Sequence, residues 1–317
     1  MNNNPSARER GAAKQLDLDT SALWLVGLIG LVLIFGWAPR AVALDRNDFY
    51  FASLENTYTA MHPRESRLAM QGIIQKIFAH KYPEIRLHLD FLPKTTGLVQ
   101  TIANKPYDVI ATTGLDYLQL RGSVHLRPLA ILSKTDQPTD AYLLVTRKNK
   151  TFQALQALSD RRLILEAGGG GEIAKLWLDT VLAAHGLPRY QLFFTTLRMG
   201  DKPSRTLLPV FFGQADACVV SENALAVMNE LNPQIEQQLV VRERSPGYVS
   251  MLLCATDHLE DWARDIVMKE TERMHTYAEG QQILTIMQMK RFFDFKPEYL
   301  EATERLFQSR RQSGGGS

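Results

Sequence analysis

The chain has 317 residues, with 36 basic and 34 acidic side chains and a formal net charge of +2. This near balance gives no electrostatic argument for a nucleic-acid partner. About 270 residues follow the first 43, which is enough for one large or two medium domains with an ample core.

The first 43 residues have the pattern of a secretory signal peptide. Basic side chains precede an uninterrupted apolar run, Ala22 to Trp37, and Ala41-Val42-Ala43 supplies a small-x-small end. The run is shorter than the about 20 residues that a membrane span needs. We therefore predict cleavage before Leu44 and a periplasmic body. The alternative is an uncleaved anchor, because a long stretch with two aspartates precedes the run; the body faces out of the cytoplasm in both cases.

Strand-like and helical segments alternate along the first half of the body. Apolar runs predict strands at residues 49–54, 85–91, 107–111, 129–132 and 141–145. Apolar residues at helical spacing predict one helix between Pro63 and Pro83, and Thr95-Thr96-Gly97 opens a second that reaches Ile102. This alternation is typical of a mainly parallel sheet with crossover helices.

The second half repeats the alternation and ends in a helical tail. Strands are predicted at residues 163–165, 193–196, 217–220, 239–241 and 249–254. A clear helix carries an apolar face from Ile173 to Ala184, and a short helix is expected from Leu207 to Phe212, with Pro209 in its first turn. Residues 259–308 are predicted to be helical, with breaks at Gly280 and Pro297. The chain therefore forms an α/β set twice, at about 45–145 and about 148–246.

Four short pieces carry a resemblance to a known family. They are Phe212 to Val220, which is similar to a "G-x-A-D-A" strand, Lys105 to Ile110, similar to an "x-x-Y-D-V" strand, Asn232-Pro233 followed by Ser245-Pro246, and Phe292-Phe293-Asp294 with Tyr299-Leu300. In this order they resemble the type 2 periplasmic solute-binding proteins, most closely the phosphate/phosphite/phosphonate-binding family of ABC transporters. The resemblance covers nearly the whole mature chain.

The resemblance implies a two-lobed α/β fold. Each lobe is expected to be a mixed, mainly parallel sheet with helices on both faces, joined to the other by two hinge strands near Tyr142–Arg147 and Tyr248–Ala255. Lobe 1 would span residues 44–147 and lobe 2 residues 148–249. Residues 250–312 would return to lobe 1 as C-terminal helices, and residues 313–317, Ser-Gly-Gly-Gly-Ser, are interpreted as a flexible tail or linker.

The function that the resemblance implies is solute capture without chemistry. A monomeric receptor would enclose a small anionic or zwitterionic, phosphonate-like ligand between its lobes and deliver it to an inner-membrane ABC permease, with no cofactor. Three alternatives stay open: a periplasmic sensor that docks on a signalling membrane protein, a complex-assembly subunit that has lost its ligand, and an enzyme, since related folds host chemistry.

Candidate ligand-binding residues follow the predicted strands, because ligands of open α/β sheets gather beyond the carboxyl ends of strands. The candidates are hydroxyl, amide, carboxylate and glycine positions: Asn56, Thr57, Tyr58, Thr95, Thr96, Thr112, Thr113, Gly168, Gly169, Gly170, Gly171, Ser221 and Glu222. Ordinary helix capping is the competing interpretation of each Thr, Ser and Asn.

The glycine run between a strand and a helix is the most distinctive candidate. Gly168 to Gly171 free the backbone to approach a ligand, and the helix behind them offers unpaired N–H groups to an anion. Phosphonate-binding relatives typically carry a Ser/Thr-rich turn here, so backbone groups would have to replace hydroxyls. The competing interpretation is a plain turn without a ligand.

Carboxylates at predicted strand ends bear on the charge of the ligand. Glu55, Glu166 and Glu222 would all repel a purely anionic ligand. Either they face solvent, or the ligand also carries an amine, as an aminoalkyl-phosphonate does.

Other chemistry is not indicated. The seven histidines have no zinc-ligand spacing, and there is no G-x-S-x-G nucleophile elbow, so neither a metal site nor a catalytic group is expected. Cys218 and Cys254 lie in apolar runs; we predict buried free thiols, with a disulfide as the alternative in an oxidising compartment.

Overall fold

Alternating and continuous apolar runs form the strands of two separate sheets in the computed structural model. The structure describes residues 47–54, 57, 63–94, 96–148, 154–167 and 171–314. The predicted signal peptide therefore lies outside the described residues. The strands are β1 (Asp48–Leu54), β2 (Arg86–Leu92), β3 (Val109–Thr113), β4 (Arg127–Ser133), β5 (Tyr142–Arg147), β6 (Arg162–Glu166), β7 (Thr196–Gly200), β8 (Ala217–Ser221), β9 (Leu239–Arg244), β10 (Met251–Ala255) and β11 (Arg291–Asp294).

Helices separate most of these strands. They are α1 (Pro63–Lys81), α2 (Leu98–Ala103), α3 (Gly114–Leu120), α4 (Gly171–Ala184), α5 (Tyr190–Phe193), α6 (Pro203–Phe211), α7 (Glu222–Leu231), α8 (Gln234–Gln238), α9 (Asp261–Arg273), α10 (Ala278–Ile286) and α11 (Pro297–Gly314). Short 3₁₀ turns lie at Leu155–Leu158 and Met274–Thr276. None of the helices in the described ranges has both the length and the apolar character of a membrane span.

Each sheet is mixed, with most strands pointing the same way. The first sheet has the order β11-β4-β10-β3-β1-β2, in which β10 and β11 oppose the other four strands. The second has the order β7-β6-β8-β5-β9, in which β5 alone opposes its neighbours. The predicted fold class, two α/β lobes with mixed sheets, is confirmed.

Helices cover both faces of each sheet because buried side chains alternate along the strands. In the first sheet, Ile110 faces the cluster that includes α2, α3 and α11, whereas Val109 faces the cluster that includes α9 and α10. In the second sheet, Leu165 packs with α4, and Ile164 packs with α6, α7 and α8. The cluster on α3, α4 and α11 continues from one sheet to the other, so both sheets share part of their core.

The assignment of β5 to the first α/β set is wrong. Tyr142–Arg147 pairs with β8 and β9 in the second sheet, and Met251–Ala255 pairs with β3 and β4 in the first. The chain therefore leaves the first sheet before Tyr142, not after Arg147, and neither predicted hinge segment as a whole joins the sheets. An apolar run predicts a buried strand but does not identify the sheet that the strand joins, because pairing is a long-range contact.

The region around residue 193 also differs from the prediction. Phe193 and Phe194 are buried but lie at the end of α5, and the strand follows at Thr196–Gly200. Leu197, Arg198 and Met199 are exposed, since β7 is an edge strand, so this strand lacks an alternating apolar pattern.

The starts and ends of several helices differ too. α6 begins at Pro203, so Pro209 lies inside that helix instead of in its first turn. Gly280 lies within α10 instead of breaking it; a Cβ there would stand 2.1 Å from Met274 O, so glycine permits a close approach. Helix α3 and strand β11 were not predicted, and α11 extends to Gly314, into the expected flexible tail. Residues 315–317 lie outside the described residues.

Candidate functional site

The chain passes between the sheets twice, and the two passages lie side by side. The first crossing segment, residues 134–141, joins β4 to β5, and the second crossing segment, residues 245–250, joins β9 to β10. The backbone N–H of Asp140 donates to Tyr248 O (3.0 Å), and that of Tyr248 donates to Asp140 O (2.8 Å). These antiparallel hydrogen bonds tie the two segments together.

Two buried tyrosines strengthen this junction. The rings of Tyr142 and Tyr248 stack with their centroids 6.5 Å apart, and the backbone N–H of Tyr142 donates to Ser245 Oγ (2.8 Å). Burial raises the pKa of Tyr248 to about 12 and that of Tyr142 well above its ordinary value, so both hydroxyls stay neutral. The junction therefore has an aromatic contact at its second-sheet end.

The carboxyl ends of strands from both sheets adjoin the crossing segments. Lys134 follows directly on β4, and its ammonium lies 3.7 Å from Oε1 of Glu166, the last residue of β6. At the second crossing, the N–H of Gly114 donates to Ser250 O (3.3 Å), which places the end of β3 beside it. Strand ends of both sheets thus lie at the crossing segments.

The first-sheet hydroxyls mainly serve the local fold. Thr57 is buried, and its hydroxyl donates to Leu54 O (2.6 Å) while lying 2.7 Å from Ser53 Oγ. Thr113 is the N-cap of α3: its Oγ1 accepts from the N–H of Asp116 (3.1 Å) and donates to Asp116 Oδ2 (2.9 Å). The capping interpretation therefore describes the observed role of Thr113.

Two further threonines differ in their surroundings. Thr112 is fully buried, and its hydroxyl donates to Thr113 O (3.3 Å). Thr96 is exposed, and Gly97, with a φ of 95°, occupies the N-cap of α2 without a side-chain cap. Among the described residues, neither hydroxyl is hydrogen-bonded to a crossing segment.

In the second sheet, Ser221 and Glu166 lie together. The backbone N–H of Ser221 donates to Glu166 Oε2 (2.6 Å), and Ser221 Oγ caps α7 by accepting from the N–H of Ala224 (3.3 Å). With Lys134 on its other oxygen, the Glu166 carboxylate is satisfied inside the protein.

Glu222 is also satisfied by a neighbour. Arg244 donates to it bidentately, from Nε (2.9 Å) and Nη2 (2.7 Å), and these bonds lower the pKa of the carboxyl. The pair is half exposed on the surface. Glu222, a predicted ligand-binding residue, binds Arg244 through its carboxylate.

Asp140, like Lys134, is a charged residue that no sequence motif marks. Asp140 is 5% exposed, and its Oδ2 has no hydrogen-bond partner among the described residues. Burial is the main cause that raises the pKa of this carboxyl to about 6, and the nearby charge of Glu166 raises it further. Lys134 and the backbone N–H groups of Ala141 and Asn223 lower this pKa, but by less. The only sequence signal was an acidic residue immediately before an apolar strand.

The glycine turn is described only at its end. Gly171 is buried and begins α4, where a Cβ would stand 3.1 Å from Glu166 O, so a larger side chain would crowd this carbonyl. The other glycines of the run and three more candidates lie outside the described residues: Gly168, Gly169, Gly170, Asn56, Tyr58 and Thr95.

The cysteines are free thiols in different sheets. Cys218 belongs to β8 and Cys254 to β10, and both are completely buried. Burial raises the pKa of both thiols far above their ordinary value. The disulfide alternative is therefore wrong, and the prediction of buried free thiols is confirmed. Within the described ranges, no cluster of three or more His, Cys, Asp or Glu side chains could hold a metal ion.

Comparison with known proteins identifies the family. The model of a family described as "ABC transporter, phosphonate, periplasmic substrate-binding protein" matches residues 59–300. A comparison with curated proteins gave no match.

Solved structures agree in fold at low sequence identity. A binding protein component of an ABC phosphonate transporter from Pseudomonas aeruginosa is 14% identical, with a TM-score of 0.55 over 85% of this chain and 88% of its own. PhnD1 from Prochlorococcus marinus, in complex with methylphosphonate, is also 14% identical, with a TM-score of 0.55 over 84% of this chain and 99% of its own. A Xanthomonas citri protein bound to chloride is 10% identical, with a TM-score of 0.58 over 84% and 99%.

The family model spans well over half of the chain, and the two-sheet fold matches these structures. The chain therefore belongs to the family of phosphonate-binding periplasmic substrate-binding proteins of ABC transporters.

Proposed function

We propose that this protein is an extracytoplasmic solute receptor that captures a small zwitterionic ligand of the phosphonate class between its lobes and delivers it to an inner-membrane ABC permease. Its family consists of substrate-binding receptors, not enzymes, and these work outside the cytoplasm with ABC permeases. The lobes would correspond to the two sheets, with the crossing segments as the hinge.

The buried Asp140 carboxylate is the observation that favours a ligand with a cationic group. The strand-end carboxylates Glu166 and Glu222 already bind Lys134 and Arg244, so they do not need a cationic group on the ligand. Asp140, in the first crossing segment, keeps an oxygen without a partner among the described residues. A buried carboxylate is costly unless it is paired, and a ligand ammonium would pair it once the lobes move to admit the ligand.

The anionic end of the ligand would bind at the start of α4. The first turn of this helix presents N–H groups to an anion, and the glycine run before it lets a backbone approach closely. Substitution of Gly169 or Gly170 by Val should then weaken phosphonate binding by about 1–3 kcal/mol. Gly122→Val is the matched control, because a Cβ at Gly122 meets nothing within 4 Å.

Calorimetric titration with three probes tests the ligand class. We expect 2-aminoethylphosphonate to bind more tightly than methylphosphonate or inorganic phosphate, by about tenfold, the gain of one charged hydrogen bond. Asp140→Asn should abolish this preference while methylphosphonate binding changes little. Asp108→Asn is the matched control, since Asp108 is also a buried aspartate, whose carboxylate accepts from the N–H of Tyr50 (2.7 Å) away from the crossing segments.

The outcomes separate the ligand class from the receptor function. Equal affinity for all three probes in the wild type would reject the zwitterion but keep a receptor for anions. Absence of binding to any small anion would instead support a sensor or complex-assembly subunit. Ligand-dependent capture of an ABC permease from inner-membrane extract would support the transport role.

Cleavage or retention of the N-terminal segment would determine whether the receptor is free in the periplasm or anchored to the membrane. Cleavage before Leu44 would release a periplasmic protein, whereas a retained segment would anchor it and favour the sensor or assembly role. N-terminal sequencing of the exported protein tests this: a start at Leu44 supports release, and a membrane-bound form that still begins at residue 1 or 2 contradicts it.

A further inference from the structure

A partly open cavity of about 130 Å³ lies on the first sheet, where Met251 in its lining directly follows the second crossing segment. On one side it is lined by strands β1, β2, β3, β4, β10 and β11, with Ala111 and Met251 near the middle of the sheet. On the other side it is lined by α1, α9, α10 and the 3₁₀ turn at Met274–Thr276. The lining side chains are aliphatic, aromatic or methionine, except for Glu270 and Thr271.

These two polar side chains have partners elsewhere. Thr271 Oγ1 donates to Met268 O (2.9 Å). The Glu270 carboxylate accepts from Lys81 Nζ (3.0 Å), Tyr82 OH (2.8 Å) and Tyr277 OH (2.6 Å). A buried water needs two to four polar partners, which this lining does not offer. The cavity therefore favours an apolar occupant over water.

The volume of the cavity and the flexible side chains that line it indicate which apolar molecules fit. An engineered apolar cavity of about 150 Å³ in another protein stays dry and binds benzene or xenon. Here three methionines, Met251, Met274 and Met287, contribute to the lining. Their flexible thioethers adapt to a guest and make favourable contacts with aromatic rings. Phe49 and Phe78, stacked with centroids 5.9 Å apart, supply further aromatic surface.

We propose that this cavity is a second ligand site, which takes one neutral apolar molecule the size of benzene. Binding there would depend on shape and apolar contact, in contrast to the charged recognition proposed at the crossing segments. Asp140, Lys134 and Glu166 do not line this cavity.

Benzene and xenon are the probes for the experiment, with the whole mature protein. Benzene should raise the melting temperature saturably and titrate with one molecule per chain, and xenon under pressure should give one strong site beside Ala111 in crystals. Ala111→Val places two methyl groups in the cavity and should weaken benzene binding by about tenfold or more.

Ala130→Val is the matched control. Ala130 is a buried alanine of the same sheet and the same hydrophobic cluster, but it does not line the cavity, so benzene affinity should change by less than about twofold. If Ala111→Val does not fold, Val267→Leu fills the cavity from α9 and replaces it in the test. Lack of saturable benzene binding by the wild type, or wild-type affinity in the filled variants, would overturn the proposal.

Discussion

The ammonium of Lys134 lies 3.7 Å from the carboxylate of Glu166, and this contact joins the first crossing segment to a strand end of the second sheet. Each side chain is only 14% exposed. Glu166 also accepts the N–H of Ser221, so its charge is held at a fixed place. The contact neutralises a carboxylate that would otherwise repel an anionic ligand.

A double-mutant cycle should measure this contact. We expect Lys134→Met and Glu166→Gln to show a coupling free energy of about 1–2 kcal/mol in denaturant unfolding, because the pair is largely shielded from water. The glutamine keeps an oxygen for the N–H of Ser221, so the cycle isolates the ionic contact.

The exposed pair Glu301 and Arg305 is the control for that cycle. Their side chains are 62% and 69% exposed, and the coupling should be no more than about 0.5 kcal/mol and should vanish in high salt. Equal coupling in the two pairs would contradict the shielding of Lys134 and Glu166.

Asp140 should make stability depend on pH between about 4 and about 6. Its pKa rises from 3.8 to about 6 on folding, so the folded state binds the proton more tightly than the unfolded state in this interval. The free energy of unfolding therefore falls as pH rises through it, by at most about 3 kcal/mol, and stays level above it. Asp140→Asn should remove this fall, as followed by urea unfolding at a series of pH values.

Asp108→Asn provides the comparison for pH dependence as well. Burial raises the pKa of Asp108 to about 6 too, so its replacement should remove a similar fall in stability. The two variants should differ only in ligand preference. A stability profile of Asp140→Asn that is identical to that of the wild type would show that folding does not change the pKa of Asp140.

Gly114 should tolerate no side chain. A Cβ there would stand 2.7 Å from the backbone oxygen of Val249 in the second crossing segment. We expect Gly114→Ala to lower the free energy of unfolding by about 1–3 kcal/mol, because backbone must move to relieve the overlap. Gly72→Ala in α1, where the Cβ meets nothing within 4 Å, should instead raise it by about 0.5–1 kcal/mol. Destabilisation of similar size in both variants would point to a cause other than this contact.

The two thiols should be inert until the protein unfolds. Cys218 and Cys254 are completely buried, and burial raises their pKa values, so little reactive thiolate is present or reachable. A thiol reagent such as DTNB should label neither residue in the native protein and both in denaturant without reductant. Labelling of neither in denaturant would indicate the disulfide that the structure excludes.

Local patterns predicted much of the fold correctly. The run from Phe49 to Leu54 and the helix between Pro63 and Pro83 were located because period and punctuation are properties of neighbouring residues. Edge strands were harder: β7 exposes Leu197 and Met199, so its sequence lacks alternation.

The roles of the candidate site residues depend on contacts that the sequence does not show. Thr113 caps α3, and Arg244 engages Glu222. Lys134 and Asp140 lie in a loop without a motif, so nothing local marked them. Their importance comes from partners that are distant in the chain, such as Glu166.

Residue type and short-range spacing were enough to predict the alternating α/β order, the buried thiols and the motifs that the chain shares with its family. Three contacts became visible only in the folded chain: β5 joins the second sheet, the two crossing segments pair through Asp140 and Tyr248, and Lys134 neutralises Glu166. Sheet pairing and charge pairing join residues far apart in the chain, and desolvation depends on everything packed around a group. The pKa of a buried side chain such as that of Asp140 therefore depends on the fold around it and cannot be read from the residue type alone.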